Sequence, residues 1–306
     1  VLLLGFIAKQ YHLESQAFAD SVMPIVVAGF LASFLIPVSH RLLYFVFLSF
    51  GAFTAILGFR NMAFLLVPAL LILAVCRLPI PFRRRVWILI GIGAALAALR
   101  AGAGAIVLPG AVWPILGSIF MFRLIVFVYD LSHAKDRPTW TQTLAYFFML
   151  PNVAFPFFPV VDYTMFRRTF RDAPEHRIHQ KGMVFLFWGV AHLVLYRAVN
   201  AYLLIPPDDV KTSGDLARYL VGNFALYLRV SGQFHLIIGI LHLFGLDLPR
   251  TNNRYFLASS FTDLWRRINI YWKDFMLKVF YYPILFRFRK LGETRRRLVL
   301  VRCRKA

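Results

Sequence analysis

The sequence has few acidic residues and almost no cysteine. Its 306 residues include 14 Asp and Glu, and only 16% of the chain is charged, whereas soluble domains carry about 25% charged residues. The two cysteines, Cys76 and Cys303, allow no disulfide framework and no thiolate metal site. So little charge also excludes an intrinsically disordered chain, which combines many charges with few apolar side chains. We therefore expect neither an ordinary soluble domain nor a metal centre.

The sequence is instead rich in apolar and basic residues. Hydrophobic residues make up 59% of the chain, the mean hydropathy is +0.65, and 35 Lys and Arg give a net charge of +21. This composition predicts a polytopic membrane protein, and the basic excess has three explanations: nucleic acid, anionic lipid or topology. The chain opens at Val1 in an apolar run and stops at Ala306 after a basic one. We therefore expect a fragment whose first eight residues end an earlier span rather than form a signal peptide.

Runs of apolar residues predict an all-α fold, a polytopic bundle of transmembrane helices. The candidate spans are residues 22–37, 42–59, 62–76, 86–99, 112–129, 183–205 and a long one within 219–246. The glycines expected to let these helices pack closely are Gly51, Gly91, Gly93 and Gly117. No internal repeat or low-complexity linker divides residues 1–306, so we expect one membrane domain. Its parts are early spans at 1–131, a segment at 144–161, a motif region at 227–283 and a basic tail at 287–306.

Short loops rich in Lys and Arg face the cytoplasm, which orients the spans. By this rule the loops at 77–85 and 167–181 and the tail at 287–305 are cytoplasmic, while the acidic loop at 206–215 is on the far side. We expect a multi-pass protein of the cell (inner) membrane, surrounded by membrane lipids. Topology then explains most of the +21 charge. Since no binding module for nucleic acid is recognisable, a nucleic acid partner is not expected.

One apolar run conflicts with this topology. If residues 144–161 crossed the membrane, the basic loop after them would lie outside. Pro151, Pro156 and Pro159 disfavour an unbroken helix there. A re-entrant segment that enters and leaves on the cytoplasmic face removes the conflict, and its non-helical backbone must be buried in protein or line a cavity. The alternative is a kinked ordinary span that violates the charge rule.

Two pairs of residues spaced seven apart mark the start of the motif region. Gly232 and Gly239 form one pair and His235 and His242 the other. Seven residues are nearly two helical turns, so each pair shares a face. Ionisable side chains at membrane depth usually face a bundle interior or a wet cavity, which makes both histidines candidate catalytic residues. The alternative is that both are neutral and hydrogen-bonded for structural reasons.

Residues 260–281 have the pattern of one amphipathic helix. The charged face carries Arg266, Arg267, Lys273, Asp274 and Lys278. The apolar face carries Leu264, Ile268, Tyr271, Phe275 and Val279. Trp265, Trp272 and Met276 form a flank, and Asn269 lies beside it. Such a helix would lie in the cytoplasmic interface with its cations toward headgroups. That position does not explain Asn269, whose amide would either bond a substrate carbonyl or cap a buried backbone group.

These motifs resemble the membrane-bound O-acyltransferase family, above all the bacterial branch that includes the alginate O-acetyltransferase and D-alanyl-lipoteichoic-acid proteins. The matching elements are Ser231–Gly232, His235, Gly239, Leu243–Phe244–Gly245, Pro249, Asn253, Ser260, the run from Leu264 to Asn269, Trp272, Asp274–Phe275 and Tyr282–Pro283. Residues 144–168 resemble the family's re-entrant segment. Two positions depart from the pattern: Asn269 stands where the bacterial branch usually has His, and Ile268 replaces an aromatic residue.

The resemblance implies an enzyme that moves an acyl group from a thioester donor, an acyl-coenzyme A or an acyl-carrier protein, to a hydroxyl acceptor such as a glycan or lipid. It implies no bound cofactor and a tunnel that the donor enters from the cytoplasmic face. The implied roles are donor positioning for Asn269, tunnel lining for Trp265 and Trp272, and contact with donor phosphates for Arg266, Arg267 and Lys273. Lipid headgroups explain those cations equally. The family's presumed catalytic His lies on a helix downstream of these motifs, and the chain ends before such a helix.

Two non-enzymatic functions are the alternatives. A transporter or flippase would use the same cavity without chemistry and predicts paired charges along several spans. The sequence shows few such charges apart from Arg123 and Arg197, which are predicted near span ends. A catalytically inactive scaffold is expected if the downstream helix lacks its His.

Overall fold

A computed structural model describes residues 18–102, 108–134, 136–155 and 158–289, together with Leu3, Phe6 and Gln10. Within these residues the regular structure is helical, apart from an isolated antiparallel bridge between Phe170 and Leu246. The all-α prediction is confirmed for this part of the chain. Most of the expected earlier span at residues 1–8, Cys303 and the basic tail beyond residue 289 lie outside the described residues.

The helices fall into two groups along the chain. The first comprises α1 (Met23–Ser33), α2 (Arg41–Leu57), α3 (Phe59–Arg77), α4 (Phe82–Arg100) and α5 (Met121–His133). The second comprises α6 (Trp140–Phe147), α7 (Tyr163–Thr169), α8 (Glu175–Ala198), α9 (Ser213–Ala225), α10 (Tyr227–Leu243), α11 (Phe261–Arg267) and α12 (Ile270–Met276). Stretches of π-helix adjoin four of them, at Phe18–Val22, Ile115–Phe120, Val199–Leu203 and Leu277–Tyr281.

Five helical stretches in the described residues are long and apolar enough to cross a membrane. They are Val38–Leu57, Phe59–Arg77, Val112–His133, Glu175–Leu203 and Ser213–Leu243. These stretches correspond to five of the seven predicted spans and support a multi-pass membrane protein. The predicted span at 22–37 falls on a shorter apolar helix, Phe18–Ser33. The predicted span at 86–99 falls within α4, whose first turn carries the arginines at 83–85.

Helices α8 and α10 form an antiparallel pair at very short separation. A Cβ atom at Gly239 would lie 2.9 Å from the Leu186 backbone nitrogen and 3.0 Å from the Gly182 carbonyl oxygen. A Cβ atom at Gly232 would lie 3.0 Å from the Gly189 carbonyl oxygen. Each helix thus presents two glycines seven residues apart, and the face shared by Gly232 and Gly239 is the face that packs on α8.

The glycines predicted to mediate packing are a different set, and for them the prediction is wrong within the described residues. A Cβ atom at Gly51, Gly91, Gly93 or Gly117 would meet no atom within 4 Å. Helix α4, which carries Gly91 and Gly93, has no buried residue. The presence of glycine in an apolar run therefore does not identify a packing face, because the face also needs a partner helix opposite.

Residues 144–161 form no continuous helix in the described structure. Helix α6 ends at Phe147, a 3₁₀ turn follows at Leu150–Val153, and residues 158–162 have no regular secondary structure. All the side chains from 145 to 150 are buried. The Tyr146 hydroxyl donates to the Val161 carbonyl oxygen at 2.6 Å, which joins the two ends of the segment. The segment is therefore a bent, protein-buried element rather than one straight span.

Arg123 on α5 holds this segment in place. It is 2% exposed and lies in the middle of the stretch Val112–His133, not near its end as the sequence predicts. Its guanidinium donates to the carbonyl oxygens of Tyr146 at 2.9 Å and Phe147 at 3.2 Å, and to Asn152 Oδ1 at 2.9 Å. The broken helix leaves backbone carbonyls without helical partners, and the buried arginine satisfies them.

The single amphipathic helix predicted for residues 260–281 is wrong, because the helix is interrupted. Asn269 separates α11 from α12 and adopts a left-handed conformation with φ 42°. Helix α12 packs along α5, with the Trp272 and Phe275 rings 5.4 and 5.7 Å from the ring of Phe122. Since Phe122 is near the middle of a spanning stretch, α12 contacts the side of that helix rather than its end.

Lys278 also departs from its predicted position toward headgroups. Its ammonium contacts the carboxylates of Asp130 on α5 and Asp162 at the start of α7. Asp130 and Asp162 also accept hydrogen bonds from the backbone nitrogens of Thr164 and Met165, both at 3.1 Å. Burial opposes ionisation, but the hydrogen bond and charge of Lys278 lower the pKa of Asp162 below its ordinary value. Likewise burial opposes the charge on Lys278, but hydrogen bonds to the two carboxylates raise its pKa.

Replacing Lys278 by Met is expected to destabilise the protein at pH 7 and to change how its stability depends on pH. Breaking a fully buried ion pair costs about 3–5 kcal/mol, and we expect a smaller loss here because Lys278 is 28% exposed, although Asp130 stays buried. In the wild type, the lowered pKa of Asp162 contributes stability that is present above its unfolded-state pKa of about 4 and is lost as the pH falls through the folded-state value. In the variant, two carboxylates face each other without a cation, so one binds a proton above its ordinary pKa and stability rises as the pH falls from about 7 to 5.

The thermal unfolding midpoint in detergent, followed by tryptophan fluorescence at several pH values, measures both effects. Lys211→Met is the matched control, since Lys211 is exposed, and we expect it to behave as the wild type. If Lys278→Met and the wild type showed the same midpoint at every pH, the three charges would not form a stabilising cluster.

Candidate functional site

A cavity of about 1200 Å³ lies beside α8 and α10. Its wall contains two imidazoles, a hydroxyl, an amide and a phenol: His192, His235, Ser231, Asn252 and Tyr255. Helix α8 supplies the first, α10 supplies the second and third, and the segment after α10 supplies the last two. Three separate parts of the chain therefore bring polar groups to one cavity between apolar helices.

Exposed cations line the same cavity. Arg250 and Arg254, from the segment after α10, and Lys181, near the start of α8, all contribute to its wall. Lys181 Nζ lies 2.5 Å from Asp247 Oδ2, so its charge is paired. The exposed part of the cavity is therefore positively charged, which suits an anionic group of a ligand.

The Ser231 hydroxyl is at the centre of a hydrogen-bond network. Its Oγ lies 3.0 Å from His192 Nδ1 and 3.2 Å from Asn252 Nδ2. The backbone N–H of Asn269, which can only donate, fixes the orientation of the Asn252 amide, because it contacts Asn252 Oδ1 at 2.8 Å. Asn252 Nδ2 therefore donates to Ser231 Oγ. The Ser231 hydroxyl donates to His192 Nδ1 in the neutral tautomer of His192 that carries its proton on Nε2.

The two histidines predicted from their spacing have different surroundings. His235 is half-buried in the cavity wall, and its Nδ1 donates to the Ser231 carbonyl oxygen at 2.6 Å. In the neutral ring this leaves the lone pair on Nε2. His242 is fully buried, between a backbone carbonyl oxygen at 2.7 Å and Asp247 Oδ1 at 3.1 Å. The structure thus brings His235 to the cavity and holds His242 inside the protein.

Asn269 reaches the cavity wall through its backbone. Its backbone nitrogen donates to Asn252, while its side chain caps the start of α12 by accepting from the Trp272 nitrogen at 3.4 Å. Asparagine is well suited to this position, because it tolerates the left-handed conformation and is a preferred N-cap residue. These contacts match the capping role considered for it from the sequence.

The tryptophans and Lys273 lie apart from the cavity. Trp265 and Lys273 line a separate groove of about 510 Å³ along α12 and the helical residues after it. Trp272 packs its ring against Phe122 and Phe275. The residues predicted to surround the donor therefore do not share one surface, because Trp265 and Lys273 line this groove while Trp272 packs against α5.

Two of the three predicted phosphate ligands are paired with carboxylates. Arg267 Nε lies 2.8 Å from Asp263 Oδ1, and Lys273 Nζ lies 3.1 Å from Asp274 Oδ1. Arg266 is exposed on α11. Because neighbouring carboxylates already offset two of these charges, Arg250 and Arg254 in the cavity wall are better placed to bind an anionic ligand.

His192 and Asn252 are not among the site residues predicted from the sequence. A histidine within an apolar run is itself a signal, since ionisable groups at membrane depth usually face a cavity, and His192 meets that criterion. Asn252 had no comparable signal: the resemblance rests on the adjacent Asn253, which is exposed, whereas Asn252 is buried. Residues 246–256 return along α10, and only this tertiary arrangement shows that Asn252, not Asn253, joins the hydrogen-bond network.

Tyr255 adds a hydrogen-bond donor to the cavity wall. Its hydroxyl is buried and has no hydrogen-bond partner among the described residues. Burial raises the pKa of Tyr255 to about 12, so the phenol stays protonated at neutral pH. Within the described part of the chain, no group of three His, Cys, Asp or Glu side chains is arranged to hold a metal ion. The site therefore offers acid–base and hydrogen-bonding groups.

Comparison of the sequence with protein-family models and with curated proteins found no match.

Proposed function

We propose that this chain belongs to a membrane-embedded O-acyltransferase that moves an acyl group from a thioester donor to a hydroxyl of a glycan, lipid or similar acceptor. The donor would be an acyl-coenzyme A or an acyl-carrier protein. The observation that carries the proposal is the cavity with the unprotonated Nε2 of His235 in its wall. Acyl transfer to a hydroxyl needs a base for the hydroxyl proton, and a neutral imidazole suits that role. The resemblance of residues 227–283 supports the choice of acyl chemistry.

The extent of the cavity along α8 supports a donor that enters from one end. Lys181 and His192, both in its wall, are separated by about 16 Å along the axis of α8. Lys181 is at the end of α8 next to the basic loop 167–181, which the charge rule assigns to the cytoplasm. The thioester would therefore reach mid-depth from the cytoplasm, with its phosphates near Arg250 and Arg254.

Two bent segments would build the walls of this path. We propose that residues 144–161 re-enter the membrane from the cytoplasmic side, with Arg123 at their deepest point, and that residues 246–281 do the same beside α10 and α5. The contacts Tyr227–Tyr255 and Phe122–Trp272 support the second, because each joins this segment to a spanning helix. The whole chain would be one multi-pass domain of the cell (inner) membrane with a cytoplasmic basic tail.

The His235→Ala variant of the complete protein is expected to lose acyl transfer by about 100-fold, a typical effect of removing a general base. Membranes containing each variant receive labelled acetyl-coenzyme A or a labelled long-chain acyl-coenzyme A as the probe donor. Release of free thiol and movement of label into lipid and glycan fractions measure the reaction. The matched control is His133→Ala, since His133 is exposed at the end of α5, and full activity is expected.

Two outcomes would contradict the proposal. Wild-type protein that releases no thiol from either donor and labels neither fraction would exclude an acyltransferase with these donors. Equal activity of His235→Ala and His133→Ala would remove His235 from the reaction.

One observation favours a transporter instead. Two charged residues of the stretch Val112–His133, Arg123 and Asp130, are buried and partnered, more than the sequence suggests. Both bind groups that hold the fold, namely backbone carbonyls for Arg123 and Lys278 with a backbone nitrogen for Asp130. Movement of a lipid or glycan across vesicles without thiol release would support the transporter.

A further inference from the structure

The environment of Ser231 differs from that of other buried serines in the described residues. The Ser33 and Ser49 hydroxyls donate to carbonyl oxygens of their own helices, at 2.6 and 2.7 Å, which is the usual way to bury a serine in a helix. Ser231 is bonded instead to two side chains from other elements, His192 and Asn252. The difference needs an explanation beyond burial.

We propose that Ser231 is a nucleophile that carries the acyl group as a covalent ester, with His192 as its base. The inference rests on the proposed acyl transfer and names its first step. A serine is activated when its proton is directed at an imidazole nitrogen within hydrogen-bond reach. Here Asn252 Nδ2 donates to Ser231 Oγ, and His192 Nδ1, 3.0 Å away, accepts the hydroxyl proton in the tautomer that the mechanism uses, with the ring proton on Nε2.

Neighbouring groups complete the arrangement. Ser231 and His192 both contribute to the wall of the cavity, next to the space that a thioester would occupy. A carbonyl oxygen that gains negative charge needs a donor, and the unpartnered, protonated Tyr255 hydroxyl in the same wall can provide one. Asn252 is a positioning residue, because it acts by orienting Ser231 and is itself held by the backbone of Asn269.

The first half-reaction forms the Ser231 Oγ–acyl bond and breaks the carbon–sulfur bond of the donor. His192 Nδ1 takes the hydroxyl proton, and the thiolate leaves and is protonated by solvent. In the second half-reaction the acceptor oxygen attacks the ester carbonyl, and His235 Nε2 takes the acceptor proton. The Oγ–acyl bond breaks, and His192 returns its proton to Oγ. The proton on His235 then passes to solvent, so the sum is thioester plus alcohol giving ester plus thiol.

The test is to trap the intermediate on the complete protein. Purified protein receives labelled acetyl-coenzyme A without acceptor, is denatured, and is digested for mass spectrometry. We expect an acetyl ester on Ser231 that is absent from Ser231→Ala and His192→Ala and retained in His235→Ala, which lacks only the base of the second half-reaction. Turnover of Ser231→Ala is expected to fall at least about 100-fold. Ser231→Cys is expected to regain labelling as a thioester sensitive to neutral hydroxylamine.

Ser49→Ala is the matched control, because Ser49 is equally buried in a helix but bonds only to its own backbone in the described contacts. It should keep both labelling and turnover. A fluorophosphonate, which reacts with activated serines whatever their substrate, provides a second readout at Ser231 that does not require acyl transfer.

The two proposals fail in different ways. Wild-type turnover with no ester on Ser231, or Ser231→Ala with full turnover, would overturn the nucleophile and leave the acyltransferase intact. No turnover with either donor but fluorophosphonate labelling that depends on His192 would overturn acyl transfer from these thioesters and keep the activated serine. No labelling by either reagent would overturn the activated serine, and Ser231 would then be a structural residue of the network.

Discussion

Gly239→Ala is expected to lower the stability of the protein by about 2–3 kcal/mol, although it adds only one methyl group. The added Cβ would lie 2.8 Å from Leu186 Cγ, 2.9 Å from the Leu186 nitrogen and 3.0 Å from the Gly182 carbonyl oxygen. Two of these three atoms belong to the backbone of α8, which cannot turn away as a side chain does. The helices must separate, and α10 carries Ser231 and His235, so the cavity should be disturbed too.

Gly91→Ala is the matched control for this prediction. A Cβ atom at Gly91 meets nothing within 4 Å, and alanine is a better helix former than glycine by up to about 1 kcal/mol. The same substitution should therefore be neutral or slightly stabilising in α4 and strongly destabilising in α10. Unfolding midpoints and the yield of monodisperse protein in detergent measure the difference. Equal midpoints for the two variants would contradict a close helix contact at Gly239.

Arg123→Met should destabilise the protein by about 3–5 kcal/mol and loosen residues 144–161. The substitution keeps the length of the side chain but removes the guanidinium that donates to three buried oxygens, on Tyr146, Phe147 and Asn152, of which the Phe147 oxygen keeps a second donor in Asn152 Nδ2 at 3.3 Å. Each unsatisfied buried acceptor costs about 1–3 kcal/mol, and the effects of acceptors that share one donor are not additive. We also expect faster hydrogen exchange of the backbone in this segment, since its anchor to α5 is gone.

Two comparisons make the Arg123 prediction specific. Arg168→Met removes an exposed arginine and should leave both stability and exchange unchanged. Arg123→Lys keeps the charge but lacks the planar fork that serves three acceptors at once, so it should recover only part of the loss. Full recovery by lysine would mean that charge, rather than the geometry of the hydrogen bonds, is what the segment needs.

The predicted spans agree well with the described helices because hydrophobic length is a property of the chain itself. A run of apolar residues must leave water wherever its neighbours lie, so the stretches Phe59–Arg77 and Ser213–Leu243 follow from the sequence. The shared face of Gly232 and Gly239 follows from helical spacing in the same way. The three prolines at 151, 156 and 159 likewise predict a broken segment, and the described structure of that segment is broken.

The predictions about residues 260–281 failed for a local and a tertiary reason. Periodicity assumes one uninterrupted helix, but Ile268 is extended and ends α11, and Asn269 in a left-handed conformation caps the start of α12. The charged and apolar faces projected onto one helix are therefore not continuous from α11 to α12. Lys278 pairs with Asp130 and Asp162, which lie on other elements. A projection of residues 260–281 alone does not include these carboxylates, so it could not predict the pairing.

By itself, the sequence determined that this protein is all-helical within the described residues, apolar enough to cross a membrane several times, bent at 144–161, and provided with histidines on one face of α10. Each of these follows from hydropathy, proline or helical period, which act within a short stretch of chain. Only the tertiary structure decided that His192 and Asn252 meet Ser231 while His242 is held away from the cavity. Those groups are far apart along the chain, and the orientation of the Asn252 amide toward Ser231 depends on a backbone nitrogen at Asn269 that no spacing rule connects to it.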